Sequence, residues 1–369
     1  GRIASALRPI VDCVVPLKSF IEASEQDILS LTEEQYACID DIEANDRIVV
    51  TGGAGTGKTL IAIEEAKRAD SDMKVGFFCY NRNLADYIRR SISSENVTVY
   101  SLHSFMNKIS EDKAVRNNGT QEFFSVILPD VACEAAKQKW ISFDKIIVDE
   151  FQDLCAPEYI KFFDVILKDG LFDGKFTFYG DFVRQAIYNA SATLDTLREF
   201  TFFAQKRLTI NCRNTLYIGN ELINITGYED KKYRLKITGE PVDFYVCNAP
   251  EDQAKKLIDC VKGLKKKGFK SSAITILSVK RRENSIINLC DREKFIIGNY
   301  GEDPDTYFAM FSTVQSFKGL ESEIVILVDV DDYSDTRLMY IALSRARSKL
   351  IVLETESASK QRKKLLLKG

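Results

Sequence analysis

The chain has 369 residues, 45% hydrophobic and 28% charged, a balance typical of globular chains with two or three domains. The formal net charge of −3 excludes a globally basic surface, so any nucleic-acid contact must be a local groove. Nine cysteines without a CxxC pair, and a single histidine, His103, exclude a disulfide framework and a multi-histidine metal centre.

The first segment, residues 1–30, has loose helical periodicity and is predicted to form a helical lead-in. A helix is predicted to begin after Thr32, whose hydroxyl can cap it, and Gln35 follows three residues later as in a capping box. The segment lacks the basic-then-apolar pattern of a signal peptide, and the apolar runs elsewhere are only strand-sized. We therefore expect a cytoplasmic protein without a membrane partner.

The next segment reads as a strand, a glycine loop and a helix. Residues 47–51 (RIVVT) contain a short apolar run with β-branched residues, residues 52–59 read GGAGTGKT, and residues 60–69 have helical spacing. The string matches the phosphate-binding motif G-x-x-x-x-G-K-[ST] in the context that the motif requires. Its backbone N–H groups and the helix N-terminus can bind phosphates, Lys58 can reach the β- and γ-phosphates, and Thr59 can ligate Mg²⁺. The predicted nucleotide-binding residues are therefore Gly52, Gly53, Ala54, Gly55, Thr56, Gly57, Lys58 and Thr59.

Strands and helices alternate through the rest of the first half. Strands are predicted at residues 74–80, 97–100, 145–148 and 176–179, and residues 102–140 are predicted to be mostly helical. The strand at 145–148 is continuously apolar, as parallel strands are. Asp149 and Glu150 follow it, so that Asp149 is predicted to hold Mg²⁺ and Glu150 to accept a proton from the attacking water. This half is predicted to be a doubly wound α/β domain over residues 31–201, with a small helical insert at about 106–140.

The second half has the same alternation of strands and helices, which predicts another α/β lobe over residues 202–356. Its strands are predicted at residues 206–210, 242–246, 274–279, 308–313, 323–330 and 350–354. The basic tail at 357–369 is interpreted as a solvated helix end, with a nucleic-acid contact as the alternative.

Several segments, in the same order along the chain, resemble the motifs of superfamily 1 DNA helicases of the UvrD/Rep type. Residues 149–153 read DEFQD, like the D-E-x-Q-D box of that class. The other similar segments are residues 31–35, 79–85 (CYNRNLA), 101–105 (SLHSF), 180–188 (GDFVRQAIY), 208–213 (LTINCR), 313–321 (TVQSFKGLE) and 340–347 (YIALSRAR).

The resemblance implies two RecA-like P-loop NTPase lobes with ATP and Mg²⁺ in the cleft between them. It implies that Gln35 reads adenine, that Gln185 senses the γ-phosphate, and that Arg213 and Arg345 are arginine fingers. Gly319 and Glu321 would contact the nucleotide. The residues that would contact single-stranded DNA are Tyr80, Asn81, Arg82, His103, Phe105 and Tyr188, and core packing is the alternative for their aromatic rings.

The chain departs from this pattern at several points, in single residues and in length. Cys212 stands where the class has an adenine-stacking aromatic residue, and the 45 positions from Ser104 to Asp149 leave room for only a small insert. The chain therefore most resembles the compact helicase halves of nuclease-related-domain fusion proteins.

The predicted function is an ATP-dependent single-stranded DNA translocase or helicase, and the resemblance implies 3′→5′ polarity. The alternative is an ATP-gated module that regulates a nuclease or sensor domain, in cis or in trans, for example in phage defence. A motor that moves on RNA is a third possibility.

Overall fold

The computed structural model describes residues 32–111, 120–182, 194–228, 232–233, 239–292 and 295–367. The lead-in predicted for residues 1–30 lies outside them. The described residues form two six-stranded parallel sheets, each flanked by helices, and this α/β architecture with two RecA-like lobes confirms the predicted fold class.

The first sheet has the strand order β3-β2-β4-β5-β1-β6. Its strands are β1 (Arg47–Gly52), β2 (Val75–Cys79), β3 (Val97–Ser101), β4 (Lys145–Asp149), β5 (Lys175–Gly180) and β6 (Ala204–Leu208). The helices of this lobe are α1 (Glu33–Ala44), α2 (Lys58–Arg68), α3 (Arg82–Ser91), α4 (Leu102–Ile109), α5 (Leu128–Gln138), α6 (Pro157–Ile166), α7 (Gly170–Asp173) and α8 (Leu194–Arg198). A π-helical turn, Phe123–Ile127, leads into α5.

A separate two-residue ladder joins β7 (Ile210–Asn211) to β8 (Lys232–Tyr233). The second sheet has the order β11-β12-β10-β13-β14-β9. Its strands are β9 (Asp243–Cys247), β10 (Ile274–Ser278), β11 (Gly298–Asn299), β12 (Met310–Thr313), β13 (Ser322–Val330) and β14 (Ala346–Thr355). The helices of the second lobe are α9 (Leu216–Thr226), α10 (Pro250–Lys266), α11 (Ile287–Arg292), α12 (Thr336–Leu343) and α13 (Glu356–Leu366).

The central strands are buried along nearly their whole length because helices cover both faces of each sheet. All residues of β2 and β10 are buried, and β13 has one half-buried residue, Glu323. Burial on both faces removes the alternation of polar and apolar residues that a half-exposed strand would have. Within the described part of the chain, no helix has the length and hydropathy of a membrane span.

Two predicted boundaries differ from the structure. The second lobe was predicted to begin at residue 202, but Ala204–Leu208 pairs in parallel with β1 and is the edge strand of the first sheet. Its alternating burial is that of an edge strand, and its sequence does not specify which sheet it joins. The predicted solvated tail is also wrong in part, because α13 packs on the second lobe and its Arg362 pairs with the buried Glu354 at 2.7 Å.

Candidate functional site

The glycine loop joins the end of β1 to the start of α2 and has two glycines in the left-handed region. Gly55 has a φ of 80° and Gly57 a φ of 87°, a conformation that side chains disfavour. The loop is also tightly enclosed, since a Cβ on Gly57 would lie 2.0 Å from the Gln35 Nε2 atom. The loop conformation therefore requires glycine at both positions.

Lys58, the first residue of α2, is buried beneath the loop. Its ammonium group donates to the carbonyl oxygens of Gly52 at 2.7 Å and Gly53 at 3.0 Å. Burial lowers the pKa of Lys58, and the carboxylates of Asp181, Glu150 and Asp149 partly offset that effect. The cation is thus held at the loop, where a phosphate could replace the two carbonyl oxygens as its partner.

Thr59 and Asp149 bring two oxygen ligands together at the end of β4. The Thr59 hydroxyl donates to the Asp149 carboxylate at 2.6 Å. Burial raises the pKa of Asp149, and the neighbouring Glu150 carboxylate raises it further. Hard oxygen donors of this kind fit Mg²⁺, which usually takes one or two protein ligands together with substrate phosphates. Among the described residues no cluster of three or more His, Cys, Asp or Glu could hold a metal ion by itself.

Glu150 follows Asp149 with a left-handed backbone conformation, at a φ of 56°. Gln152 Nε2 donates to Glu150, and the Gln152 side-chain oxygen Oε1 accepts from the Asp181 N–H at 3.0 Å. Burial would raise the pKa of Glu150, but the charges of Lys318, Lys58 and Arg345 outweigh burial and lower it. Glu150 is therefore an ionised, oriented base at neutral pH.

The two predicted arginine fingers lie on the second-lobe side of the site. Arg213 forms an ion pair with Glu321, which also pairs with Arg347 at 3.3 Å. Arg345 is 1% exposed and donates to the carbonyl oxygens of Ile341 and Leu320, at 3.0 Å each, and to the Ser344 hydroxyl at 2.8 Å. Burial lowers the pKa of Arg345 to about 10, and the nearby Arg213 lowers it in the same sense.

These groups surround one cavity of about 150 Å³ between the lobes. Lys58, Thr59 and Glu150 line it from the first lobe, while Arg213 comes from the segment between the lobes and Arg345 from the second. The other lining residues are Gln35, Ala54, Gly55, Gly57, Leu60, Tyr87, Cys212, Tyr300, Gly319, Leu320, Glu321 and Arg347. The structure thus brings together most residues that the sequence predicted for nucleotide binding and catalysis. Gln185 lies outside the described residues.

Gln35 sits at the junction of α1 and the glycine loop. The predicted capping box is confirmed: Gln35 N–H donates to the Thr32 hydroxyl at 3.1 Å, and Thr32 N–H donates to the Gln35 side-chain oxygen Oε1 at 2.8 Å. The Gln35 Nε2 atom donates to the Thr56 carbonyl oxygen at 3.0 Å and lies 3.9 Å from the Cys212 sulfur. Gln35 is 2% exposed, and its bond to Thr56 connects it directly to the loop.

Hydrogen bonds across the cleft connect the lobes at the site. Ala54 N–H donates to the Tyr340 hydroxyl at 2.8 Å, and Asn81 Nδ2 donates to the Lys318 carbonyl oxygen at 2.7 Å. Lys318 is 2% exposed, and its ammonium bonds to Asp153 and lies 3.7 Å from Glu150. The lobes therefore meet through specific polar contacts next to the carboxylates of Glu150 and Asp153.

Sequence reasoning assigned no role to Gln152, Lys318 or Tyr340. All three lie inside strings that resemble helicase motifs, namely DEFQD, TVQSFKGLE and YIALSRAR. Their position in those motifs is the sequence feature that could have identified them as site residues. Asn214 had no such signal. Its amide donates to the Ala346 carbonyl oxygen at 2.7 Å and fixes the segment that carries Arg213 to the second lobe.

The predicted nucleic-acid contacts fall into different environments. Arg82 is exposed and Tyr80 is half-buried, both at the carboxyl end of β2. Phe105 is 6% exposed, with its ring 5.1 Å from that of Phe78, an environment that favours the core-packing alternative over contact with DNA. The Asn81 amide is used within the protein, where its oxygen also caps α3 by accepting from Leu84 N–H at 2.8 Å. Tyr188 lies outside the described residues.

His103 belongs to an aromatic cluster on the first lobe. Its Nε2 atom lies 2.7 Å from the Tyr159 hydroxyl, and its ring lies 5.5 Å from that of Tyr80. Burial lowers the pKa of His103 to about 4, and the Arg82 charge lowers it in the same sense. The imidazole is therefore neutral at physiological pH and carries no charge for a phosphate contact.

Two family models match the chain. Residues 35–191 match the model described as an AAA domain, and residues 308–353 match the UvrD-like helicase C-terminal domain. Together the matches support a superfamily 1 helicase core of the UvrD/Rep type, a class of nucleotide hydrolases.

Solved structures also match. The structure of the PRRSV helicase aligns with a TM-score of 0.42 at 13% identity, over 85% of this chain and 54% of that chain. This chain therefore spans about half the length of that helicase. A comparison with curated proteins found no match.

Proposed function

We propose that this chain hydrolyses ATP and uses the cycle of hydrolysis to move along single-stranded DNA. The observation that carries the proposal is the cavity between the lobes, which Lys58, Thr59 and Glu150 line from one side and Arg213 and Arg345 from the other. Phosphoanhydride hydrolysis needs a loop that binds phosphates, an ionised base and positively charged groups, and the two guanidinium groups supply the last of these.

Each part has a role that follows from its chemistry. The loop N–H groups and Lys58 bind the β- and γ-phosphates, and Mg²⁺, when bound at Thr59 and Asp149, neutralises the charge that develops on them. Glu150 accepts a proton from the attacking water, since its pKa is lowered and it is ionised at neutral pH. Arg213 and Arg345 stabilise the negative charge on the transferred phosphoryl group.

The positions of the arginines link hydrolysis to movement. Arg213 pairs with Glu321, and Arg345 bonds to backbone carbonyls of its own lobe. Reaching a γ-phosphate requires both guanidiniums to exchange these partners, which makes the contact between the lobes depend on the nucleotide. A strand of DNA that lies across both lobes would then be stepped along as they open and close.

The residues at the carboxyl end of β2 could form a binding surface for single-stranded DNA. Exposed Arg82 and half-buried Tyr80 flank Asn81, whose amide bonds to Lys318 in the second lobe. A cation and an aromatic ring beside a contact between the lobes suit a phosphate and a stacked base. The 3′→5′ direction of movement rests on the resemblance to superfamily 1 motors.

The test is the rate of ATP hydrolysis with single-stranded DNA, duplex DNA and RNA, each at two salt concentrations. Single-stranded DNA should raise turnover severalfold, and the effect should weaken as salt rises because phosphate contacts release counterions. Lys58→Ala should lower turnover by about 100-fold or more, since it removes a cation from the transition state, while the fold is retained. Arg68→Ala, a variant of an exposed residue at the other end of α2, is the matched control and should keep turnover.

Two results would contradict the proposal. If Lys58→Ala kept its turnover, the assignment of the site would be wrong. If wild-type turnover were the same with every nucleic acid but rose with a protein partner, the chain would be an ATP-gated regulatory module.

A further inference from the structure

Two buried asparagines, Asn211 and Asn214, lie between the chain segments that carry the two arginines of the cavity. Asn211 is the last residue of β7 and is 2% exposed, and Asn214 follows three positions later and is 1% exposed. The Asn211 Nδ2 atom donates to the Asn214 Oδ1 atom at 3.0 Å, so the two amides form a pair. Their remaining hydrogen bonds connect this pair to both arginine segments.

The Asn211 side chain holds the backbone around Arg213. Its Oδ1 atom accepts from the N–H groups of Arg213 at 3.0 Å and Asn214 at 3.1 Å. The same oxygen lies close to the glycine loop, since a Cβ on Gly55 would be 2.4 Å from it. The Cys212 N–H also donates to the Gly55 carbonyl oxygen at 2.8 Å. The backbone at Arg213 is therefore fixed relative to the loop that would bind phosphates.

The Asn214 side chain holds the backbone on both sides of Arg345. Its Nδ2 atom donates to the carbonyl oxygens of Ser344 at 3.2 Å and Ala346 at 2.7 Å. Ser344 and Arg345 connect α12 to β14, and this connection is fully buried. An amide nitrogen has two N–H groups, so these two carbonyls use both of them. The position of the Arg345 backbone is thus tied to Asn214.

The two guanidinium groups need such support because they repel each other and must move together. Arg213 and Arg345 line the same cavity, where like charges at short range are unfavourable. To reach a phosphate, Arg213 has to leave Glu321 and Arg345 has to leave the carbonyl oxygens of its own lobe. A backbone that stays fixed while the side chains exchange partners keeps the two charges at the spacing that the phosphoryl group requires.

We propose, on the premise that the chain hydrolyses a nucleoside triphosphate as proposed above, that Asn211 and Asn214 position Arg213 and Arg345 as one unit beside the glycine loop. Neither asparagine lines the cavity, so each is a positioning residue that acts through the arginines. The arginines bind the transferred phosphoryl group most strongly in the transition state. The asparagine pair therefore contributes to kcat more than to the binding of the nucleotide.

The experiment measures steady-state ATP hydrolysis by Asn214→Ala, alone and combined with Arg213→Ala or with Arg345→Ala. Alone, the substitution should lower kcat by about 10-fold or more and change KM by less than about threefold. Combined with the loss of either arginine, it should lower kcat further by less than about threefold, because there is no longer a second charge to keep in register. Such non-additivity in kcat is not expected of a residue that only stabilises the fold.

Gln253→Ala is the matched control. Gln253 is another buried amide of the second lobe, its oxygen accepts from the Asp329 N–H at 2.8 Å, and it does not line the cavity. Its loss should lower the thermal stability and leave kcat within about twofold of the wild type.

Asn211→Ser keeps the test decisive if Asn214→Ala does not fold. The serine hydroxyl can still accept from a nearby backbone N–H, but it cannot replace the amide bond to Asn214. We expect kcat to fall in the same direction, again with little further effect once Arg345 is replaced by alanine.

The outcomes separate this inference from the proposed function. An unchanged kcat, or the same factor of loss with and without the arginines, would overturn the inference and leave the function intact. An equal loss of kcat in Gln253→Ala would also overturn it, because the effect would then come from general destabilisation. A wild-type chain that does not hydrolyse ATP would overturn the proposed function and the inference together.

Discussion

At the scale of single residues, Asp149 and Glu150 show how neighbouring carboxylates acquire different roles. Burial and the adjacent charge raise the pKa of Asp149, whereas Lys318, Lys58 and Arg345 outweigh burial at Glu150 and lower its pKa. The Asp149 carboxylate accepts from the Thr59 hydroxyl, whereas the Glu150 carboxylate lies 3.7 Å from Lys318 of the second lobe. Environments that separate two pKa values in this way mark acid–base assignments in active sites.

The titration of His103 leads to a prediction about stability. Its pKa is about 4 in the folded protein and 6.5 in the unfolded chain, because burial and Arg82 disfavour the charged ring. Between these values the unfolded chain binds more protons, so the free energy of unfolding decreases as the pH falls from 6.5 to 4. We expect this loss to be about 1–3 kcal/mol.

The comparison is between the wild type and His103→Gln in urea unfolding at several pH values. The variant lacks the titrating ring, so its advantage over the wild type should grow as the pH falls through this window. Asp149 and Asp153 titrate in both proteins and cancel in the difference. Parallel stability curves for the two proteins would show that His103 does not carry the effect.

At the scale of elements, the start of α3 illustrates how one side chain serves both a helix and a contact between lobes. The Asn81 oxygen accepts from Leu84 N–H, and its nitrogen donates to the Lys318 carbonyl oxygen. The residue lies in the CYNRNLA string, which sequence reasoning assigned to DNA contact. In the structure both ends of its amide bond within the protein.

Asn81→Ala should therefore lower the free energy of unfolding by about 2 kcal/mol, with about 1 kcal/mol each from the lost cap and the lost hydrogen bond. Asn83→Ala is the matched control, because Asn83 also donates to a second-lobe carbonyl oxygen, that of Ser316 at 3.1 Å, but caps no helix. Its loss should be about 1 kcal/mol or less. Equal losses in urea unfolding would argue against a role for the cap.

At the scale of the whole molecule, Lys318 connects the lobes electrostatically. Its ammonium is buried against Asp153 and Glu150 of the first lobe, although its chain position is in the second. Burial raises the pKa of Asp153 to about 6, and the Lys318 charge opposes this rise. Removing the cation would leave two buried carboxylates without their principal counter-charge.

Lys318→Met should accordingly lower the free energy of unfolding by about 3 kcal/mol, because breaking a buried pair leaves an uncompensated charge. Lys280→Met is the control: its ion pair with Asp331 is 2.8 Å long but exposed, and its loss should be worth about 0.5 kcal/mol or less. Thermal or urea unfolding distinguishes the two. Similar small effects in both variants would mean that the contact between the lobes adds little to stability.

The sequence by itself determined the parts of the protein that depend on neighbouring residues. The strand, glycine loop and helix around Lys58 follow from local order, as does the capping box of Thr32 and Gln35. Continuous apolar runs predicted the buried parallel strands, and the motif strings predicted most of the cavity lining, including Arg213 and Arg345.

Only the tertiary structure decided contacts between distant residues. Lys318 and Asp153 are 165 positions apart, and no local pattern shows that one neutralises the other. The same holds for the sheet that Ala204–Leu208 joins and for the burial of Phe105. The periodicity of the sequence specifies which face of a helix or strand is apolar. Which other element packs against that face is determined by the packing of the whole chain.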